Sequence, residues 1–171
     1  MLSFQDLTYW GFDGDDQVSA WIALSPATGA SGCMQMIPES HKQPMQEQVL
    51  TDDPANLLSL GQTIVGVSSD DAVLCPLEPG QASLHHGWTV HASTANESND
   101  RRIGLNIQYI KPSMRQQNVQ SDSALLVRGR DSYGHFRPDR TPPSEIPADA
   151  KQRLAQLSGE VLEITRKGSR L

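Results

Sequence analysis

Along this chain apolar residues alternate with polar ones over short stretches, and Gly, Pro and Asp interrupt them often, which predicts short strands. Gln17 to Leu24 (QVSAWIAL) reads as a strand with Val18, Ala20, Ile22 and Leu24 on one face and Trp21 on the other. Cys33 to Ile37 is a second, ended by Pro38. Gln62 to Ser68 and Ala72 to Leu77 are two more, split by Ser69-Asp70-Asp71. Pro79-Gly80 marks a turn, and Gln81 to His86 then forms a strand. A polar turn, Ser93 to Asp100, separates it from Arg102 to Ile110, where Ile103, Leu105, Ile107 and Tyr109 alternate with Gly104, Asn106 and Gln108. Five or six strands punctuated in this way argue for a mainly β fold, an antiparallel sandwich or barrel, over βαβ units. Residues 39–60 are polar and irregular, with a weak helical signal at Pro54 to Leu60. After Lys111 the character changes. LLVRGRDSYGHFRPDRTPP is extended and rich in Pro and Gly, and is expected to drape over the sheet. Ile146, Ala150, Leu154, Leu157 and Val161 then recur at steps of three and four, the stripe of an amphipathic helix that starts near Ser144 or Pro147 and falters at Gly159. The expected organisation is a β core over residues 1–112 and an extension over 113–171 with a covering loop and a peripheral helix.

Composition narrows the function. A length of 171 residues fits one domain with a real core. The net charge of −6 and the lack of a basic run argue against nucleic acid, because phosphate binding needs clustered Lys and Arg. No apolar run is long enough to span a bilayer, and MLSFQDLTYW has neither the basic nor the apolar region of a signal peptide. Cys33 and Cys75 are too few for a disulfide framework and are read as free thiols in a reducing cytoplasm.

The chemistry concentrates between Pro79 and Lys111. His85, His86, His91 and the Arg101-Arg102 pair fall on what reads as two adjacent strands. Imidazole suits iron, zinc or copper, and a guanidinium clamps a carboxylate through two bonds. His91 and Arg102 can aim into one cavity, with Ser93 adding a hydroxyl donor. The plainer alternative is a histidine satisfied by turn backbone and an arginine in a surface ion pair. Asp6, close to Tyr9, Trp10 and the Trp21 strand, is a carboxylate in aromatic surroundings. With an imidazole it would supply two parts of a 2-His-1-carboxylate facial triad, although a lone Asp in such a position is commonly a turn residue.

FQDLTYWG, VSAWIALSPAT, SGCMQMIPESHK, PGQASLHHG, HAS followed by RRIGLNIQYI, and LLVRGRDSYGHF, in that order, resemble the bacterial branch of the phytanoyl-CoA dioxygenase family over nearly the whole chain. The resemblance implies a double-stranded β-helix (a cupin-like jelly roll), Fe(II), and 2-oxoglutarate as cosubstrate of a hydroxylating dioxygenase acting on a small molecule. It makes Asp6 and His91 metal ligands and gives Arg102 the far carboxylate of 2-oxoglutarate with help from Ser93. Trp21 would line the pocket, and His86 would lie beside the metal, orienting a ligand. His41 would sit in a structural turn in which Glu39 stands where the family has glycine. Arg128, Arg130 and His135 either close over the pocket or lie on a solvated loop.

Two departures accompany the match. The family carries a histidine two positions before the aspartate, and this chain has Phe4 there. The family also has a substantial portion ahead of this motif, whereas the chain starts almost at it. Three expectations stand side by side: an N-terminally truncated dioxygenase; a catalytically inactive cupin-like module that binds a small carboxylate; or a site in which His85 or His86 substitutes for the missing ligand. By strand parity His85 shares a face with His91, although the turn at Gly87 intervenes.

Overall fold

The computed structural model describes residues 3–43, 45–50, 62–141 and 144–168. Among them the chain is mainly β, with ten short strands, two α-helices (the four-residue α1, Leu7–Trp10, and the longer α2, Ala150–Gly168) and two single 3₁₀ turns. The weak helical signal at Pro54 to Leu60 lies outside the described residues. Two compact units are present: Met1–Leu7 with Gln17–Tyr109, and Thr8–Asp16 with Ile110–Leu171.

In the first unit, β1 (Gln17–Ala23) lies between β6 (Ala82–His85) and β8 (Gly104–Ile110). A second sheet places β2 (Met34–Met36) between β5 (Val73–Cys75) and β7 (His91–Ser93), with both pairings antiparallel. A third pairs β3 (Gln48–Leu50) with β4 (Gln62–Ile64). The two strands expected to be neighbours, Gln81 to His86 and Arg102 to Ile110, are β6 and β8, which lie on either side of β1 rather than side by side, and the histidines divide between two sheets. His85 ends β6 in one sheet, and His91 opens β7 in the other, where Met36 is its partner across the ladder. The cause is Trp88 to Val90, which carries the chain from one sheet to the other; Thr89 N–H bonds back to the His86 carbonyl.

β1 departs from its pattern too. Its buried positions include Gln17 and Ser19, on the face shared with Trp21, while Val18 and Ile22 are half-buried. The face read as apolar core is not the one turned to the most enclosed space, because that space holds polar groups. The buried hydrophobic residues of this unit mix small side chains (Ala20, Ala23, Ala27, Cys33, Val90, Ala92) with Leu7, Met34 and Ile64.

Ser3 to Asp6 runs as an extended clamp between elements. Ile64 N–H bonds to the Ser3 carbonyl, and Phe4 and His91 exchange both backbone hydrogen bonds, at 3.0 and 3.1 Å. Gln5, fully buried, faces the other way; its amide donates to the Trp88 carbonyl at 2.7 Å and its oxygen accepts from Gln46 N–H at 2.9 Å. This fixes the direction in which Phe4 and Asp6 point, since alternate residues of an extended chain face opposite sides. Glu39 adopts a left-handed φ of 61° ahead of the 3₁₀ turn Ser40–Lys42 that contains His41.

In the second unit, β9 (Ser123–Ala124) and β10 (Arg137–Pro138) pair in parallel, and α2 spans Ala150–Gly168 without a break at Gly159. The stripe read from sequence is not the face it buries. Ile146, Leu154 and Val161 are exposed, and the less exposed side runs through Arg153, Leu157, Glu160 and Ile164. Ile164 and Gly168 are its buried residues, and on the same side Arg153 reaches Asp139 at 2.7 Å and Glu160 reaches Arg137 at 2.9 Å.

Candidate metal centre

Asp6, His85 and His91 converge within the first unit, and one potential ligand atom from each lies within 4.8 Å of the others. Three elements supply them: the extended clamp, the end of β6 and the start of β7. His85 Nε2 stands 3.8 Å from Asp6 Oδ2, and His91 Nε2 stands 3.7 Å from Asp6 Oδ1. Both separations exceed hydrogen-bond reach. They match the spacing of two groups that each lie about 2.0–2.2 Å from a shared cation. Both imidazoles are buried, and Asp6 is nearly so.

The supports of the three groups differ. The Nδ1 of His91 lies 2.9 Å from the Thr89 carbonyl; this orientation frees Nε2 as a ligand lone pair. Burial lowers the pKa of His91; Asp6 and the Thr89 carbonyl pull it upward, and His85 downward. The Asp6 carboxylate accepts from Ser19 Oγ at 3.2 Å, and Ser19 Oγ accepts from Gln17 Nε2 at 3.0 Å. His85 Nδ1 is enclosed with no hydrogen-bond partner among the described residues. These are the traits of a cation site: neutral nitrogen donors, one carboxylate, and polar atoms behind two of the three.

His86 turns the other way. Its Nδ1 accepts from Trp88 N–H at 3.1 Å and its ring lies 6.0 Å from that of His41, so it is His85 that joins Asp6 and His91. Phe4 packs its ring against His91, centroid to centroid 4.3 Å. The arginine group is assembled beside them. Arg102 Nη1 donates to Ser93 Oγ at 3.1 Å, and its guanidinium carbon lies 5.5 Å from the Trp21 ring centroid, a cation–π arrangement. Trp21 in turn lies over Gly104, where any Cβ would stand 2.1 Å from the indole. Partial burial lowers the pKa of Arg102 and Cys33 raises it; a guanidinium stays cationic through the neutral range.

Gln17, Ser19 and Thr89 were not singled out from the sequence. For the first two the signal was present, since they alternate with Trp21 on one face of β1. Thr89 carried none.

A model of the phytanoyl-CoA dioxygenase (PhyH) family matches residues 4–104, which include all three converging groups and Arg102. The chain belongs to this family. Relatives include 1-deoxypentalenic acid 11-beta-hydroxylase of Streptomyces arenae, 32% identical over 102 residues, which are 56% of this chain and 35% of that protein. Another is a probable alpha-ketoglutarate-dependent hypophosphite dioxygenase of Stutzerimonas stutzeri, 27% identical over 134 residues, 75% of this chain and 47% of that protein. Among solved structures, the non-heme monooxygenase ThoJ in its apo form superposes with a TM-score of 0.80 at 30% identity, covering 98% of this chain and 60% of that one. Its nickel complex gives 0.72 at 29% identity, covering 97% and 59%. The chain thus spans between a third and a half of these curated relatives' length. Among the described residues no helix is long and apolar enough to cross a membrane.

Two expectations follow for this PhyH member. Ser19→Ala removes the donor that orients Asp6 and should weaken Ni(II) binding roughly 10- to 100-fold by titration calorimetry; unchanged affinity would mean that the hydroxyl does not orient the carboxylate. The second concerns acid. His91 has a lowered pKa in the fold, while an unfolded imidazole titrates near about 6.5. Below that pH the unfolded chain takes up a proton that the folded chain resists. The contribution of His91 to the stability of the metal-free protein should therefore be lost as pH drops below about 6.5 and be constant above. Urea midpoints in chelator at graded pH check this. His91→Asn, whose amide can keep the bond to Thr89, should show a shallower fall.

Proposed function

We propose that this chain carries the iron- and cosubstrate-binding core of a 2-oxoglutarate-dependent hydroxylase, built on a double-stranded β-helix of the cupin-like jelly-roll type. Asp6, His85 and His91 would hold Fe(II), and a 2-His-1-carboxylate set suits that ion. Bound iron with 2-oxoglutarate and oxygen supplies the oxidising power for hydroxylating a C–H bond of a small molecule. The observation that carries the reading is the convergence of two buried imidazoles and a nearly buried carboxylate at 3.7 and 3.8 Å, too far apart to satisfy one another.

The residues divide the work. Asp6 gives one negative charge toward the cation, and the two imidazoles remain neutral donors. Ser93 lies two residues beyond His91 on β7, and Trp21 two beyond Ser19 on β1, so each shares a face with the metal set one strand repeat (about 7 Å) away. Arg102, which contacts both, would take the distal carboxylate of a five-carbon diacid whose other end reaches the metal.

A second reading, a non-catalytic module binding a small carboxylate through Arg102 and Ser93, is favoured by one observation: Phe4 occupies the position at which the family carries a ligand. Thermal-shift measurements separate the two. The hydroxylase core predicts stabilisation by Ni(II) or Mn(II), and further stabilisation by 2-oxoglutarate only with metal present. Equal stabilisation by 2-oxoglutarate with and without metal would favour the module, and no response to either would overturn both.

A further inference from the structure

Resting on that reading of the centre, we propose that it has two seats for its second imidazole, and that this chain uses the seat on β6. His85 is a working metal ligand, and Phe4 fills the other seat as packing against His91.

The geometry points to this from both sides of His91. Phe4 and Asp6 are alternate residues of one extended segment, so their side chains leave it in the same direction. Phe4 is the direct cross-strand partner of His91, through two backbone hydrogen bonds, and its ring centroid lies 4.3 Å from the imidazole's. His85 reaches the same imidazole from β6, ring to ring 5.1 Å, with Nε2 facing the Asp6 carboxylate. Positions 4 and 85 therefore both border His91, and position 4 shares its face with Asp6. The carboxylate presents Oδ2 to His85 and Oδ1 to His91, dividing its two oxygens between the two imidazoles.

Phenylalanine and histidine are both flat rings on a single methylene, so an exchange between the two seats changes little volume. The supports of the two ligands make His85 the more adjustable one. His91 is anchored through Thr89, whereas His85 Nδ1 has no partner among the described residues. A ring held only by packing can turn toward a cation without breaking a hydrogen bond. The lesion expected from Phe4 then becomes a relocation: three protein ligands remain, and the wall beside His91 is an apolar ring.

Ni(II) titration calorimetry on the chain and on His85→Phe, His85→Gln, Phe4→His/His85→Phe and Phe4→His/His85→Gln tests this. The unaltered chain should bind one Ni(II). Each single His85 variant should lose affinity by at least 100-fold, and each double variant should recover to within tenfold of the unaltered chain. Circular dichroism melts in chelator establish that each variant folds. The Co(II)-loaded unaltered chain gives a readout independent of any substitution: two paramagnetically shifted imidazole N–H proton signals should appear. Ni(II) binding by the unaltered chain with no loss in the His85 variants, or a single shifted N–H signal, would overturn the use of His85 while leaving the metal-centre reading in place. Loss in the single variants without recovery in the doubles would overturn the second seat. No binding by the unaltered chain would instead remove the proposed function itself.

Discussion

Asp6→Asn is expected to lower Ni(II) affinity by more than about 100-fold, beyond the range typical of supporting residues, while barely changing the stability of the metal-free chain. Asp6 is the one carboxylate in the cluster, and both imidazoles face it across 3.7–3.8 Å. Asparagine keeps the shape and can still accept from Ser19, so the metal-free fold should shift by less than about 1 kcal/mol. It removes the only charge that offsets a divalent cation and turns one ligand oxygen into an amide donor that competes for His85 or His91. Calorimetric titration together with a urea melt in chelator checks both halves. An affinity within fivefold of the unaltered chain would mean that the carboxylate is not a ligand, and the site would need another explanation.

The second large effect is expected at Gly87, which sits between His85 and His91 in the chain. A Cβ there would stand 2.4 Å from Leu7 Cγ and 2.6 Å from Gln17 Oε1. Leu7 also donates its N–H to the Gly87 carbonyl at 3.2 Å, so the backbone cannot retreat without breaking that bond. Gly87→Ala should therefore destabilise the fold by about 1–3 kcal/mol, the usual cost of forcing extra volume into a packed site. Each kcal/mol lowers Tm by about 2–4 °C for a chain of this size. Metal affinity should fall with it, because the displaced Gln17 supports Ser19 and, through it, Asp6. Gly159→Ala is the control: a new Cβ on α2 meets nothing within 4 Å, and a gain of about 0.5–1 kcal/mol is expected from helix propensity. If the two substitutions behave alike in a thermal melt, close packing at Gly87 is not what holds the region.

How far the residues revealed all this differs from place to place. Alternation located β1, β2, β5, β6 and β8 to within a residue or two, but not β3, β7, β9 or β10. Parity pairs His85 with His91 only along an unbroken strand, and the chain changes sheets between them. Which sheet each strand joins was hidden. His91 pairs with Met36, more than 50 residues away, and nothing local encodes that choice. The polar face of β1 was misjudged for a related reason. Hydrophobic periodicity finds the side that packs, and at Gln17 and Ser19 the enclosed side serves a charged group. Of the apolar stripe on α2, Ala150 and Leu157 fall on the less exposed side; the buried Ile164 lay outside the stripe, and the pairs Arg153–Asp139 and Glu160–Arg137 depend on a segment outside the helix. The role of Phe4 could be read only as an absence until its pairing with His91 was visible.

Asp6 reaches its two histidines across about 80 intervening residues, so the centre is among the contacts of highest contact order in the chain and should mature late in folding. A cation that binds only the finished arrangement would then act as a latch. It should slow unfolding many-fold while leaving the refolding rate almost untouched.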